Sequence, residues 1–385
     1  MSDEPTLSPS LTLRVRFDMK TIVVKIGTST IIRDGAVDEE YVGQVACQVA
    51  ALREERYRVA IVTSGAIRVG LDTIGRERAV RLPEKQAAAA IGQSLLMRTY
   101  RRAFSQTDMH VAQVLLTRSD VADRRRFLNA RHTMAQLFKW GVVPVVNEND
   151  TVATEEIRFG DNDSLAALTA LVAEADQVLL LSDIDGFYLP GASRPVPVVE
   201  RITKAMEEAA GGAGSTAGTG GMRTKIEAAR IATHAGIELV IAHGRTENVI
   251  QRVARGEALG TRFAPRAALR GRKRWIAFSR HAQGTLVLND SARAALTGKG
   301  ASLLPIGIAE VEGHFEPGAL VTVRDRHGEF ARGLSNYSSD DLRRIAGAHS
   351  SKISAVLGRA DFKEAIHRDN LTLTDADSHL ERIKP

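Results

Sequence analysis

Residues 21–29 read T-I-V-V-K-I-G-T-S, a run of β-favouring side chains that ends in a glycine turn. The run is apolar at nearly every position, and a strand of that kind belongs in a parallel sheet that is covered on both faces. Lys25 interrupts it, and a buried lysine is costly unless it is paired. The stretch therefore predicts either an inner strand that carries a functional cation or an edge strand with Lys25 facing water.

Runs of the same kind alternate with helical patterns as far as about Phe263. Short apolar runs predict further strands at 59–62, 111–116, 142–147 and 177–181. Apolar residues at helical spacing predict helices at 41–53, 84–104, 129–139 and 164–175. Alternating strands and helices predict an α/β fold, a three-layer αβα sandwich with a mainly parallel sheet.

The pattern changes near Arg270, where short β-rich runs are separated by turn residues. The runs 321–324 and 329–332, joined by D-R-H-G, predict a β-hairpin. We therefore expect four parts: an extension (1–18), a large α/β domain (19–265), a small β-rich domain (270–362) and a polar tail (363–385).

Composition limits the class of protein. The 385 residues are 44% hydrophobic, with no run near the roughly 20 apolar residues that a membrane span needs. The start lacks the basic head and apolar core of a secretory signal. The one cysteine, Cys47, falls on a helical pattern where we expect it to be packed, which fits a reducing compartment. We therefore expect a cytoplasmic protein with no membrane segment.

The net charge of +6 is concentrated in one segment. Residues 270–360 hold 14 Lys and Arg against 8 Asp and Glu, so that segment carries the whole surplus. A local surplus of this kind favours an acidic partner such as RNA. The segment has few aromatic side chains and no RNA-stacking motif, so a structural or regulatory role is the favoured alternative.

Small and polar residues follow four of the predicted strands. They are K-I-G-T-S at 25–29, T-S-G-A at 63–66, N-E-N-D at 147–150 and S-D at 182–183. Ligands of an open parallel sheet bind beyond the carboxyl ends of its strands. The four segments therefore predict one shared binding rim.

A glycine-rich stretch, G-G-A-G-S-T-A-G-T-G-G-M-R-T-K at 211–225, leads into a helical pattern. Glycines let backbone N–H groups approach an anion, and the N-terminus of the helix adds a favourable dipole. Lys225 would add a full positive charge. The stretch matches neither a P-loop nor a dinucleotide fingerprint, so it predicts a phosphate site of another type, with a flexible linker as the alternative.

The segment G-D-N-D-S at 160–164 crowds Asp161, Asn162 and Asp163 before a helix. A helix cap accounts for one of these acidic residues, but not for the cluster. Clustered carboxylates are relieved by a cation. The candidates are a magnesium ion, the ammonium group of a substrate, or Lys25 and Lys225. The preceding residues, 151–160, predict either a mobile lid or an ordinary loop.

These motifs resemble the amino-acid kinase family, in the branch that phosphorylates the γ-carboxylate of glutamate. The resemblance rests on V-V-K-I-G-T-S, V-T-S-G-A, V-P-V-V-N-E-N-D, G-D-N-D-S-L-A-A, L-L-L-S-D and G-T-G-G-M-R-T-K, in the family's order and spacing. S-L-L-P-I-G-I and L-R-R-I-A-G resemble a PUA domain. The similarity spans roughly 19–372 and implies the amino-acid kinase fold, ATP and Mg²⁺ as cofactors, and glutamyl 5-phosphate as the product.

The resemblance also implies a role for each matching residue. Lys25 and Lys225 would contact the phosphates of ATP, with Asp161 and Asp163 organising them. Glutamate would be held by Ser64, Asp150 and Asn162. The nucleotide would be held by Lys25, Ser182, Asp183, Thr219, Gly220, Gly221, Met222, Arg223, Thr224 and Lys225. Magnesium would arrive with ATP rather than at a metal site of the protein.

The partners that the resemblance implies are L-glutamate, ATP, proline as a feedback inhibitor, a glutamyl-phosphate reductase, and further copies of the chain in a dimer or tetramer. Ser182 and Arg223 replace a threonine and a serine that some members carry. Two alternatives stay open: another amino-acid or carbamate kinase of the same fold, and an RNA-binding PUA protein.

Overall fold

The computed structural model describes residues 19–152, 162–211, 221–265, 282–299, 301–358 and 362–373. The predicted extension, Asp161, Thr219, Gly220 and most of the predicted lid (153–160) lie outside these ranges. So does the tail from residue 374 onward.

An eight-stranded sheet organises the first domain, and a two-stranded ribbon lies beside it. The strands are β1 (Thr21–Ile26), β2 (Ile32–Arg33), β3 (Ala36–Val37), β4 (Arg58–Val62), β5 (Val111–Leu116), β6 (Val143–Glu148), β7 (Gln177–Ser182), β8 (Val198–Val199), β9 (Glu238–His243) and β10 (Thr261–Phe263). In the large sheet their order is β5-β6-β4-β1-β7-β9-β10-β8, and β2 pairs with β3 in the ribbon.

The large sheet is mainly parallel, as the sequence predicts. Every pair in it is parallel except β9 with β10, which is antiparallel. Strand β1 pairs with β4 on one side and β7 on the other, so it is an inner strand. The alternative in which Lys25 faces water from an edge strand is therefore wrong.

Helices cover both faces of this sheet. They are α1 (Thr28–Ile31), α2 (Glu39–Glu54), α3 (Ala66–Thr73), α4 (Leu82–Ser105), α5 (Arg118–Ala122), α6 (Arg124–Lys139), α7 (Asp163–Val172), α8 (Lys204–Ala210), α9 (Met222–His234) and α10 (Val249–Ala254). Each predicted helix is present with shifted ends. Helix α7 stops at Val172 rather than at residue 175, and Glu174 adopts a left-handed backbone (φ 51°) just beyond that end.

Successive side chains of β1 point to opposite faces of the sheet and pack in two different hydrophobic cores. Val23 packs in the cluster that contains α6, α7 and α9, whereas Ile22 and Val24 pack in the cluster that contains α2, α4 and α10. Because side chains alternate along a strand, Lys25 points to the same face as Val23. The pleat of the strand therefore directs this lysine towards α7.

Two glycines bring α3 and α4 into backbone contact. A Cβ added at Gly70 would lie 1.8 Å from the carbonyl oxygen of Ala88, and one added at Gly92 would lie 1.9 Å from that of Ala66. Only a residue without a side chain fits such an approach. The contact carries Gln93, the residue after Gly92, to the rim of the sheet beside β6.

The second domain is built on a separate five-stranded sheet. Its strands are β11 (Gly284–Leu288), β12 (Ile308–Gly313), β13 (Leu320–Asp325), β14 (Gly328–Leu334) and β15 (Leu371–Leu373), in the order β12-β11-β13-β14-β15. Its helices are α11 (Asp290–Lys299), α12 (Ser339–Ile345) and α13 (Ile353–Leu357). The predicted hairpin is confirmed, with Arg324 paired to Glu329. Leu320 and Leu334 pack with the core of the first domain.

Two further expectations concern exposure. Cys47 is exposed on α2, so the prediction that it is packed is wrong. Its neighbours Ala46 and Gln48 are buried, and a shift of one position along a helix turns a side chain by about 100°. Among the described residues, no helix combines the length and apolar character needed to cross a membrane.

Candidate active site

The carboxyl ends of β6, β4, β1 and β7 lie side by side and form one rim. Backbone hydrogen bonds continue past the strand ends: Gly27 N–H donates to the Leu181 carbonyl (3.3 Å), and Thr63 N–H donates to the Val146 carbonyl (2.9 Å). The four polar segments that follow these strands are therefore neighbours, as the sequence predicts. The N-termini of α7 and α9 meet the same rim.

A buried ion triad lies at this rim. Lys25 Nζ is 2.6 Å from Asp163 Oδ1, and Lys225 Nζ is 3.1 Å from Asp163 Oδ2. Asp163 is fully buried, and both lysines are at most 5% exposed. Three charges in so little solvent are tolerated only because they compensate one another. Of the three cations considered for the acidic cluster, the two lysines are those that Asp163 contacts here.

Thr224 adds a neutral contact to the triad. Its hydroxyl lies 3.0 Å from Asp163 Oδ2 and 2.8 Å from the Gly221 carbonyl oxygen. The carboxylate is the stronger acceptor for its one hydrogen. Lys225 and Thr224 occupy the first turn of α9, so that turn is fastened to the first residue of α7.

The two asparagines at the rim, with Gln93, form a chain of amides. Asn162 Nδ2 donates to the Thr63 carbonyl (2.5 Å) and to Asn147 Oδ1 (2.7 Å). Asn147 Oδ1 also accepts from the Glu148 backbone N–H (2.9 Å), and Asn147 Nδ2 donates to Gln93 Oε1 (2.6 Å). Asn147 and Asn162 are buried, and Ser64, next to Thr63, is only 7% exposed.

Two acidic side chains, Glu148 at the last position of β6 and Asp150 just beyond it, are partly withdrawn from water. Burial, and secondarily the charge of Asp150, raise the pKa of Glu148 to about 7, although Arg118 opposes the shift. Burial raises the pKa of Asp150 to about 6. Near neutral pH both carboxyl groups are therefore close to the range in which they titrate.

The remaining predicted nucleotide residues line the β7 and α9 side of the rim. Ser182 is buried, and its hydroxyl donates to Asp183 Oδ1 (2.9 Å), which leaves the Asp183 side chain held at the surface. Gly221 caps α9, Met222 is half-buried and Arg223 is exposed. These residues share one side of the site with Lys25 and Lys225.

The structure adds Gln93, Asn147 and the backbone of Thr63 to the residues named from the sequence. Asn147 opens the N-E-N-D segment, so its position at a strand end is the signal that would have found it. Gln93 lies within a helix, 54 residues before Asn147, and no local pattern marks it. In the described part of the chain, no group of three or more His, Cys, Asp or Glu side chains is arranged to hold a metal ion.

Comparison with known families places two matches on the two domains. The sequence model of the amino acid kinase family matches residues 20–243, and that of the PUA domain matches residues 284–357.

Full-length relatives are also similar. A glutamate 5-kinase of Syntrophotalea carbinolica is 47% identical over 363 residues, which are 92% of this chain and 97% of that protein. A glutamate 5-kinase of Pelobacter propionicus is 48% identical over 364 residues, 92% of this chain and 98% of that protein. Among solved structures, a carbamate kinase from Giardia lamblia bound to AMP-PNP is similar with a TM-score of 0.47 at 15% identity, over 65% of this chain and 99% of that one.

Proposed function

The chain belongs to the glutamate 5-kinases of the amino acid kinase family, and on that premise we propose how its residues carry out the reaction. The reaction is the ATP-dependent phosphorylation of the γ-carboxylate of L-glutamate in proline biosynthesis. Its product is L-glutamyl 5-phosphate.

The buried ion triad is the observation that carries the proposal. Asp163 holds the ammonium groups of Lys25 and Lys225 on its two oxygens, at 2.6 and 3.1 Å. We assign both lysines to the phosphates of ATP, where they neutralise charge on the transferring group. Asp163 sets the spacing between them, and Asp161 is assigned to the same cluster from the resemblance alone.

The chemistry needs no general base. The γ-carboxylate of glutamate is already ionised at pH 7. One of its oxygens forms a bond to the γ-phosphorus, the bond from that phosphorus to the bridging oxygen breaks, and ADP leaves with the electron pair. The protein's contribution is to align the two substrates and to stabilise charge.

Magnesium fits this arrangement as a companion of ATP. Both oxygens of Asp163 already face ammonium groups, so Asp163 is a poor ligand for a third cation. Mg²⁺ is usually held by one or two carboxylates together with phosphates and waters. When bound, it would neutralise the phosphate oxygens of the nucleotide.

The two substrates are assigned to opposite sides of the triad. Ser182, Asp183 and Thr219 to Lys225 are proposed to hold the nucleotide. Ser64, Asp150 and Asn162 are proposed to hold glutamate. The support is that the described members lie at adjacent strand ends and at the N-termini of α7 and α9.

The direct test is hydroxamate trapping of the acyl phosphate with ATP, Mg²⁺ and L-glutamate. We expect a signal with glutamate and none with aspartate, acetylglutamate or carbamate. A signal with another carboxylate but not with glutamate would refute the substrate assignment. Adding proline in the same assay tests feedback.

We propose that proline inhibits by competing with glutamate at an overlapping site. Saturating proline that leaves the glutamate dependence unchanged would refute this.

Because the acyl phosphate is labile, we also propose that a glutamyl-phosphate reductase consumes it. We further propose that the protein acts as a homo-oligomer, a dimer or tetramer.

For the second domain we propose a structural or regulatory role, with domain limits at 19–265 and 270–362. Several of its arginines are already paired with acidic residues: Arg293 with Asp325 (2.6 Å), Arg343 with Asp340 (2.7 Å), and Arg324 with Glu312. This pairing reduces the charge available to RNA. A shift assay with structured RNA at rising salt tests the alternative, since binding through charge alone disappears as salt rises.

A further inference from the structure

Two backbone groups fix the direction of every hydrogen bond in the amide chain. The Thr63 carbonyl can only accept, so the Asn162 side chain must turn its NH₂ group towards it. The Glu148 backbone N–H can only donate, so Asn147 must turn its Oδ1 towards that group. Asn147 Nδ2 is then the donor to Gln93 Oε1. None of the three amides is free to flip.

With both hydrogens of its amide nitrogen in use, Asn162 can offer a ligand only a hydrogen-bond acceptor. An amide nitrogen carries two hydrogens, and those of Asn162 are used by Thr63 and Asn147. Its Oδ1 is the atom left for a ligand. An acceptor binds an ammonium group well and repels a carboxylate. Asn162 is therefore suited to the α-ammonium group of an amino acid.

Gln93 is the residue that closes the chain. Its Nε2 is buried and has no hydrogen-bond partner among the described residues. An unsatisfied buried donor is unfavourable. Turning the amide over would place two donors, Gln93 Nε2 and Asn147 Nδ2, against each other at 2.6 Å. Gln93 therefore keeps an unpaired nitrogen because its hydrogen bond with Asn147 fixes the orientation of its amide.

We propose that Gln93 is a positioning residue for substrate recognition: by accepting from Asn147 it keeps the three amides in place, so that Asn162, already oriented by the Thr63 carbonyl, holds its oxygen where the α-ammonium group of glutamate binds. The inference rests on the proposed function, because it assigns a contact in the same glutamate site. Gln93 itself does not touch the substrate.

The test uses two substitutions of similar shape. Gln93→Met keeps the length of the side chain and removes the acceptor. Gln93→Glu keeps an oxygen that accepts from Asn147 in either protonation state. Gln44→Ala, at an exposed position on α2, is the matched control. Two constants are measured for each protein: the KM for L-glutamate, and the inhibition constant of glutarate, which lacks the α-ammonium group.

We expect Gln93→Met to raise the KM for glutamate about tenfold or more, as expected for roughly 1.4 kcal/mol of lost hydrogen-bond energy. The glutarate constant and the KM for ATP should stay within about threefold, and Gln93→Glu should restore most of the glutamate affinity. An unchanged KM in Gln93→Met, or an equal loss for glutamate and glutarate, would refute the positioning role. A wild-type chain that forms no acyl phosphate from glutamate would instead refute the proposed function.

Discussion

Lys25 and Asp163 form a buried ion pair at the junction of the central strand β1 and the first turn of α7, with Nζ 2.6 Å from Oδ1. The two side chains are 4% and 0% exposed. Breaking a pair of this kind leaves an uncompensated buried charge, which costs about 3–5 kcal/mol. Removing either partner of this pair should therefore affect both folding and catalysis.

Lys225→Ala should fold but lose most of its activity. Asp163 keeps Lys25 and the hydroxyl of Thr224 at 3.0 Å, so its charge remains compensated. The transferring phosphoryl group loses one cation, and we expect kcat to fall on the order of 10² or more. The measurement is steady-state ADP release. Lys204→Ala, which removes an exposed lysine, is the control. A Lys225→Ala enzyme that kept most of its turnover would contradict the assigned role.

Thr224→Val should weaken the triad without changing its charge. The hydroxyl donates to a buried carboxylate, and a hydrogen bond to a charged group contributes about 1.5–3 kcal/mol. We expect the free energy of unfolding to fall by that amount and kcat to fall with it, while Thr224→Ser stays close to wild type. Equal stability of the valine and serine variants would show that the hydroxyl contributes nothing to Asp163.

Glu148→Gln should stabilise the protein at high pH. Folding raises the pKa of Glu148 from its ordinary 4.5 to about 7. A raised pKa gives stability that is fully present below the unfolded value and is lost as the pH rises through the folded value. The variant lacks this loss. Its advantage should be near zero at pH 4 and about 1–2 kcal/mol at pH 8, since each pKa unit is about 1.4 kcal/mol and solvent screens a half-buried group.

Urea unfolding at both pH values measures that difference. Glu55→Gln is the control, because Arg255 lowers the pKa of Glu55 and the sign is reversed. A Glu148→Gln advantage that does not grow with pH would contradict the assignment.

The raised pKa of Asp150 predicts that glutamate binding depends on pH. Asp150, with its pKa near 6, is assigned to glutamate and binds an ammonium group best when ionised. The KM for glutamate should therefore rise several-fold as the pH falls from 8 to 5.5. The KM for ATP, measured in parallel, should change less. A glutamate KM that is flat over this range would argue against Asp150 as a ligand.

Gly70→Ala should destabilise the α3–α4 contact and displace Gln93. The new Cβ would lie 1.8 Å from the Ala88 carbonyl oxygen, and backbone cannot move away as a flexible side chain can. We expect a loss of about 3 kcal/mol or more. Gly43→Ala, on α2 with nothing within 4 Å of the added carbon, should instead gain about 0.5–1 kcal/mol. Thermal melting of the two variants distinguishes these outcomes.

The architecture and much of the rim can be predicted from local patterns in the sequence. Runs of Val, Ile and Leu alternating with helical patterns predict a covered parallel sheet, because burial on both faces needs apolar residues at every position. The rule that ligands bind beyond strand ends then selects Lys25, Ser64, Asp150 and Ser182. All of these signals are local, so they can be read without knowing which segments meet.

Which side chains act together depends on how distant segments meet in the fold. Asp163 meets Lys225 across 62 positions of sequence, and Gln93 reaches Asn147 through a glycine contact between two helices. The pKa values of Glu148 and Asp150 are raised by burial, and that of Glu148 also by the charge of Asp150. The orientation of Asn162 is set by the backbone carbonyl of Thr63, a group that every residue carries whatever its side chain. These properties depend on distances between segments, which local periodicity does not encode.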